Sequence, residues 1–312
     1  MKIAYLLLVH NQPEHLVRLI RALDMPCVHF FIHVDGKADI SDFMKNIKEA
    51  PNVHYIKNRK RVYWGHISVV EATLELLNEA FNFPEIFKYY VLLSGSDYPI
   101  KKNQIIYDTF AKSDSQHIAV ERNLFCLKPG QLELTWFHGK PRSRVCKNAG
   151  TYTGKLRAAI YRLIDVGVCV HFSRLPAKDC PYFTLYQGSA HWSLTRDGVG
   201  YILKFITEHP DYLRYYRHFW IPDETFFHSI VKASPFSDSI SQDFERGCNV
   251  REDVFGTHYI PWSKAVWKSY STLILTEKNL GALLSSEALF ARKFDEIESK
   301  ALLREIDDYI RR

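Results

Sequence analysis

Arg61–Lys101 reads RVYWGHISVVEATLELLNEAFNFPEIFKYYVLLSGSDYPIK, and the fold turns on this stretch. From Ser68 the apolar residues Val69, Ala72, Leu74, Leu76, Leu77 and Ala80 recur at near-helical spacing, which predicts a helix over Ser68–Ala80. Tyr89, Tyr90, Val91, Leu92 and Leu93 then form an uninterrupted apolar run, the pattern of a strand covered on both faces. The run ends in a small acidic turn, Ser94-Gly95-Ser96-Asp97-Tyr98-Pro99. Strands of this kind belong to α/β sheets, whose ligands sit beyond the strand carboxyl ends. Asp97 and its turn are therefore candidate nucleotide contacts.

The same alternation extends outward. Strands are expected at Ile3–Val9, Val28–Val34, Val53–Ile56 and His117–Val120, with helices at Pro13–Leu23, Ser41–Lys48 and Asn103–Ala111 between them. Periodicity weakens from Leu124 to Asp179, apart from a helical pattern near Lys155–Leu163. Order returns with strand-like Tyr182–Tyr186 and Ser189–Leu194, then a helix over Asp197–Ile206 with Thr195 as its N-cap. A further helix is expected to start near Pro222, with ordered segments at Asn279–Leu283 and Ala288–Asp295 and an amphipathic helix running through Ile310. With no repeat and no long linker, residues 1–312 read as one domain: a nucleotide-binding half, 1–123, and an acceptor and catalytic half, 124–312.

Composition narrows the classes. A 46% hydrophobic content over 312 residues supplies a packed core and argues against disorder. Forty-one Lys and Arg against 35 Asp and Glu give +6, too dispersed to mark a nucleic-acid binder but compatible with phosphates or an anionic membrane surface. Six cysteines without a C-x-x-C pair read as reduced thiols. The short apolar opening passes directly into an amphipathic segment, so the expectation is a soluble cytoplasmic protein whose membrane contact, at the inner surface, is peripheral.

Several motifs carry chemistry. Asp35 follows the second strand and is followed by Gly36, so it serves either as a nucleoside acceptor or as an Asp-Gly turn. His10 occupies the matching place after the first strand. There is no G-x-G-x-x-G, and Gly150–Lys155 misses the phosphate-loop spacing by one residue. Asp-x-Asp is absent, which removes the usual carboxylate pair for a metal on a sugar-nucleotide diphosphate, so a departing diphosphate would need protein cations. Arg292 and Lys293, between Phe290 and Phe294, are candidates; the plainer reading is an amphipathic helix start with solvated charges. Pro222-Asp223-Glu224 offers either helix-terminus complementarity or a general base. Gly188-Ser189-Ala190-His191-Trp192 permits close backbone approach at Ser189 and offers Trp192 as a sugar platform or as core, an ambiguity shared by Trp64, Trp136, Trp220 and Trp262.

Taken together, IAYLLLVHNQ, FFIHVDGK, RVYWGHISVVEATLELL, YYVLLSGSDYPIK, GSAHWSLTR, PDETFF and LFARKFD resemble the core-2/I-branching β-1,6-N-acetylglucosaminyltransferases and peptide O-xylosyltransferases, with details closest to bacterial-type members. The resemblance implies an α/β, GT-A-like fold: a Rossmann-like nucleotide-binding sheet with helices on both faces. It implies that Glu224 is the catalytic base and that Lys293 contacts the donor diphosphate. It also implies that Val9, His10 and Asp35 line the uridine pocket, that Trp64 is a nucleotide-side aromatic, and that Glu121 lies near the acceptor. The second diphosphate cation of the family corresponds to Lys268 or is replaced by Arg292.

The expected activity is inverting, metal-independent transfer of GlcNAc or xylose from a UDP-sugar to a glycan hydroxyl, with no cofactor and no metal site. The alternative is a non-catalytic carbohydrate- or nucleotide-sugar-binding protein on the same fold.

Overall fold

The structure is a computed structural model that describes residues 1–123, 180–219, 221–247, 253–261 and 273–311. The expected Lys155–Leu163 helix lies outside these residues, as do Trp136, Trp220, Trp262 and Lys268. The first half builds β1 (Ile3–Val9), α1 (Pro13–Leu23), β2 (Val28–Val34), α2 (Ile40–Met44), β3 (Val53–Tyr55), α3 (Ser68–Phe81), β4 (Tyr89–Ser94), β5 (Asp97–Pro99), α4 (Asn103–Lys112), β6 (Gln116–Val120) and β7 (Arg122–Asn123). The second half adds β8 (Tyr186–Gln187), β9 (Ser193–Thr195), α5 (Arg196–Glu208), α6 (Pro210–Tyr215), α7 (Phe226–Lys232), β10 (Ile240–Asp243), β11 (Val254–Phe255), β12 (His258–Tyr259), α8 (Leu280–Ser285), β13 (Phe290–Arg292) and α9 (Lys300–Arg311).

Among the described residues the main sheet has seven strands in the order β10-β6-β9-β4-β1-β2-β3. β3, β2, β1 and β4 run parallel, while β9 inserts antiparallel between β4 and β6. The doubly apolar strands explain this layering. Tyr89, Val91 and Leu93 of β4 face a core shared with α1, α4 and α9, whereas Tyr90 and Leu92 face α3, α5 and α7. A strand buried on both sides needs helices on both sides, and the chain supplies them. The α/β class expected from Arg61–Lys101 is the architecture found.

Some local expectations shift. Tyr182–Tyr186 does not form a strand; only Tyr186–Gln187 pairs, with Arg122–Asn123. Thr195 does cap α5, its hydroxyl accepting the Gly198 N–H at 3.2 Å. Phe290–Arg292 is a strand and not a helix start, because Phe290 and Ala291 are both buried and pair with β5 and β12 in a four-stranded sheet ordered β11-β12-β13-β5. Pro222 opens a single 3₁₀ turn, Pro222–Glu224, before α7.

Candidate active site

Strand order reverses between β1 and β4, since β2 and β3 lie on the far side of β1. Such a switch point opens a crevice beyond the carboxyl ends of its strands. Val9 closes β1 and is buried, Gly95 packs against it, and the Gly95 N–H donates to the Leu8 carbonyl at 3.0 Å. His10 stands exposed at the rim. Even so, crowding around its ring is the main reason its pKa lies below the ordinary value; Asp35 draws it up, while Lys293 and Lys37 push it down. His10, Asp35 and Lys293 therefore share one neighbourhood.

Asp35 itself is buried and heavily engaged. Its Oδ1 accepts the N–H groups of Lys37 at 2.8 Å and Val62 at 3.2 Å, and its Oδ2 lies 3.2 Å from the Lys37 ammonium. The Asp-Gly turn is thus real, and it pins the 59–62 segment that leads to Trp64. Trp64 is 53% exposed, so its flat apolar ring is largely open to solvent.

Asp97 is 0% exposed and turned inward. Its Oδ2 accepts the Ser94 N–H at 2.7 Å and its Oδ1 the Ser94 hydroxyl at 2.9 Å. Burial alone would raise its pKa, but Arg292, His191 and His258 around it hold it well below the usual carboxylate range. Arg292 Nε lies 3.8 Å from Oδ1, and the His191 and His258 Nε2 atoms lie 3.6 and 3.7 Å from Oδ2. The carboxylate is committed to this cluster and does not open on the crevice, contrary to the expectation of a direct nucleotide contact.

Trp192 requires a correction. At 0% exposure, with its ring 5.3 Å from that of Phe227, it belongs to the core and has no face left for a sugar. Ser189 is buried as well, its carbonyl accepting His228 Nε2–H at 2.9 Å. What this segment contributes is backbone proximity. A Cβ on Gly188 would sit 1.6 Å from the Ala119 carbonyl oxygen, so only glycine lets the chain pass there. At that point the Gly188 N–H donates to the Glu224 carbonyl at 2.9 Å.

Glu224 is half-buried, at the end of the 3₁₀ turn. Gln187 Nε2 donates to its Oε2 at 2.9 Å, and the Gln187 carbonyl accepts the Glu121 N–H at 2.9 Å. Glu121, Gln187 and Glu224 therefore meet. Gln187 is the site residue that sequence reading passed over, because an uncharged amide in a weakly patterned segment gives no signal.

The turn is entered through Ile221 at φ 52°, ψ 57°, a left-handed conformation that is strained for a β-branched residue and typical of functional sites. The Ile221 N–H donates to the Gly65 carbonyl at 3.1 Å, and Gly65 itself sits at φ 70°. This bond ties the carboxylate turn of the second half to the Trp64–Gly65 loop of the first.

Lys293, directly after β13, is partly exposed; its carbonyl accepts the Leu275 N–H at 2.9 Å, and the next residue, Phe294, donates its N–H to the Ser96 carbonyl at 2.8 Å. Lys293 is thereby held beside the turn at the end of β4. Among the described residues no group of three or more His, Cys, Asp or Glu is arranged to hold a metal ion, and no helix is long and apolar enough to cross a membrane.

The chain is similar in sequence to known glycosyltransferases. Residues 3–131 match the family model described as Core-2/I-Branching enzyme. Xylosyltransferase 2 of Bos taurus is 23% identical over 99% of this chain and 33% of its own length. The Bos taurus β-1,3-galactosyl-O-glycosyl-glycoprotein β-1,6-N-acetylglucosaminyltransferase is 25% identical over 99% of this chain and 69% of its own. The chain thus spans about a third of the length of the xylosyltransferases it matches. The solved galactosyltransferase LgtC, in complex with donor and acceptor sugar analogs, aligns over 98% of this chain and 95% of its own at 9% identity, with a TM-score of 0.43. The match over 3–131 takes in the parallel strands and the turns at their carboxyl ends, so this part of the chain is similar to the Core-2/I-Branching enzymes.

Proposed function

We propose that this chain is an inverting, metal-independent glycosyltransferase that moves GlcNAc or xylose from a UDP-sugar to a hydroxyl of a glycan. The observation that carries the reading is the Ile221–Gly65 hydrogen bond, which ties the turn bearing Glu224 to the loop that follows the segment pinned by Asp35. Both xylose and GlcNAc transferases stand among the relatives, which supports these two donor sugars.

In this reaction Glu224 takes the proton of the acceptor hydroxyl as its oxygen forms the new bond to the anomeric carbon. The bond to the β-phosphate oxygen breaks on the opposite face, and UDP leaves with the electron pair. Lys293 faces the charge that grows on the leaving oxygen, a stabilisation that is strongest in the transition state. Glu121, held beside Glu224 by Gln187, lies on the acceptor side.

The test is a panel of UDP-sugars assayed for UDP release with and without glycan acceptors, in the parent and in Glu224→Gln. UDP binding is expected to persist in the variant while turnover falls by about 10²-fold or more, and chelator is expected to leave the parent rate unchanged. Saturable UDP binding without turnover of any donor would instead make the chain a nucleotide-sugar-binding protein.

A further inference from the structure

The two residues that carry the proposed chemistry each follow another charge in the chain: Asp223 precedes Glu224, and Arg292 precedes Lys293. Arg292 stands opposite Asp97 in the β13–β5 register, and its Nη1 donates to the His191 imidazole. Burial and then the Arg292 charge hold the pKa of that ring well below the ordinary value against the pull of Asp97. From His191 the connections run to the carboxylate turn. The His191 N–H reaches Ser189 Oγ at 3.5 Å, the Ser189 carbonyl is fixed by His228, and the neighbouring Gly188 N–H holds the Glu224 carbonyl. Asp223 Oδ1 is buried without a hydrogen-bond partner, and the Arg292 charge acts on that carboxyl.

We propose that Arg292 is a positioning residue that fixes the spacing between Lys293 and Glu224, and not a ligand of the departing diphosphate. The inference rests on the roles proposed for those two residues. Only 20% of the Arg292 side chain reaches solvent, and its Nε is sealed. A guanidinium that bonds to His191 and faces the Asp97 carboxylate at 3.8 Å fixes the direction of β13 and so of Lys293, which a flexible ammonium in its place would not do. The chain of contacts through His191 and Ser189 gives the carboxylate turn the same reference point. Small misplacements on this scale cost rate more than affinity.

The test compares two variants with the parent: Asp97→Asn/Arg292→Gln, which removes the buried pair together so that no uncompensated charge remains, and Lys293→Ala. UDP affinity is read by calorimetry, kcat and KM with the UDP-sugar the parent turns over, and the His10 imidazole by NMR titration. The double variant is expected to bind UDP within about 3-fold of the parent while kcat falls about 10-fold or more. Its His10 titration should move upward, because a displaced Lys293 repels the imidazolium less. UDP affinity lost as severely as in Lys293→Ala would make Arg292 a phosphate ligand and overturn the proposal, as would an unchanged kcat or an unmoved His10 midpoint. If Lys293→Ala itself leaves UDP affinity intact, the functional reading of Lys293 fails separately, while the His10 titration still reports whether Arg292 positions it.

Discussion

Gln187 donates its side-chain amide to Glu224 Oε2 at 2.9 Å, and its own carbonyl accepts the Glu121 N–H. One neutral residue thus aims the carboxylate proposed as base and joins it to the backbone of Glu121. Replacing Gln187 by Glu would put a second negative charge against the first. Ionisation of Glu224 would then be harder, so its pKa would rise. A base must be deprotonated to act, so the acidic limb of the kcat/KM profile is expected to move to higher pH in Gln187→Glu. Gln187→Ala should lower kcat about 10-fold without that displacement. Overlapping pH profiles for parent and Gln187→Glu would show that the pair does not act in catalysis.

Lys293→Ala should weaken UDP binding about 10- to 100-fold, the worth of one or more charge-assisted hydrogen bonds to phosphate. Calorimetry at fixed salt measures this. The loss should shrink as salt rises, because screening already weakens the lysine's contribution in the parent.

His228 gives the stability a pH dependence of known sign. It is fully buried, and burial lowers its pKa to about 4 despite the bond to Ser189. In the unfolded chain the imidazole takes up its proton near 6.5, so the unfolded state binds more protons between about 6.5 and about 4. Stability is therefore complete above that window and falls as pH drops through it, by about 3 kcal/mol at most from this group. Denaturant melts from pH 7 to pH 4 check the slope, which His228→Gln should reduce.

The two tryptophans separate core from site. Trp192→Ala should cost about 3–5 kcal/mol of stability by leaving a cavity between the sheet and α7. Trp64→Ala, at an exposed position, should stay within about 0.5 kcal/mol and instead alter donor KM. Denaturation midpoints beside donor kinetics test both. Equal destabilisation by the two would mean that Trp64 packs as core.

The period of the apolar residues was enough to establish the α/β class, the parallel β1, β2 and β4 and the helix beside them. A strand written Tyr-Tyr-Val-Leu-Leu must be buried on both faces wherever it sits. Glu224 and Lys293 stood out as candidates, because a carboxylate behind Pro-Asp and a cation between phenylalanines are local patterns, and the structure adds their neighbours, Gln187 for Glu224 and the turn after β4 for Lys293. Contacts between distant segments were not legible. Asp97 looked like a ligand contact in the one-dimensional string, and only the folded chain brings Arg292, His191 and His258 around it and takes its charge out of the crevice. Trp192 and Trp64 were interchangeable as letters, and burial separates them. Gln187 carried no sequence signal, since its importance comes from one hydrogen bond across 37 residues. Period and composition act over one or two turns of chain, whereas the site is assembled by closing long loops, and only tertiary packing decides which residues those closures bring together.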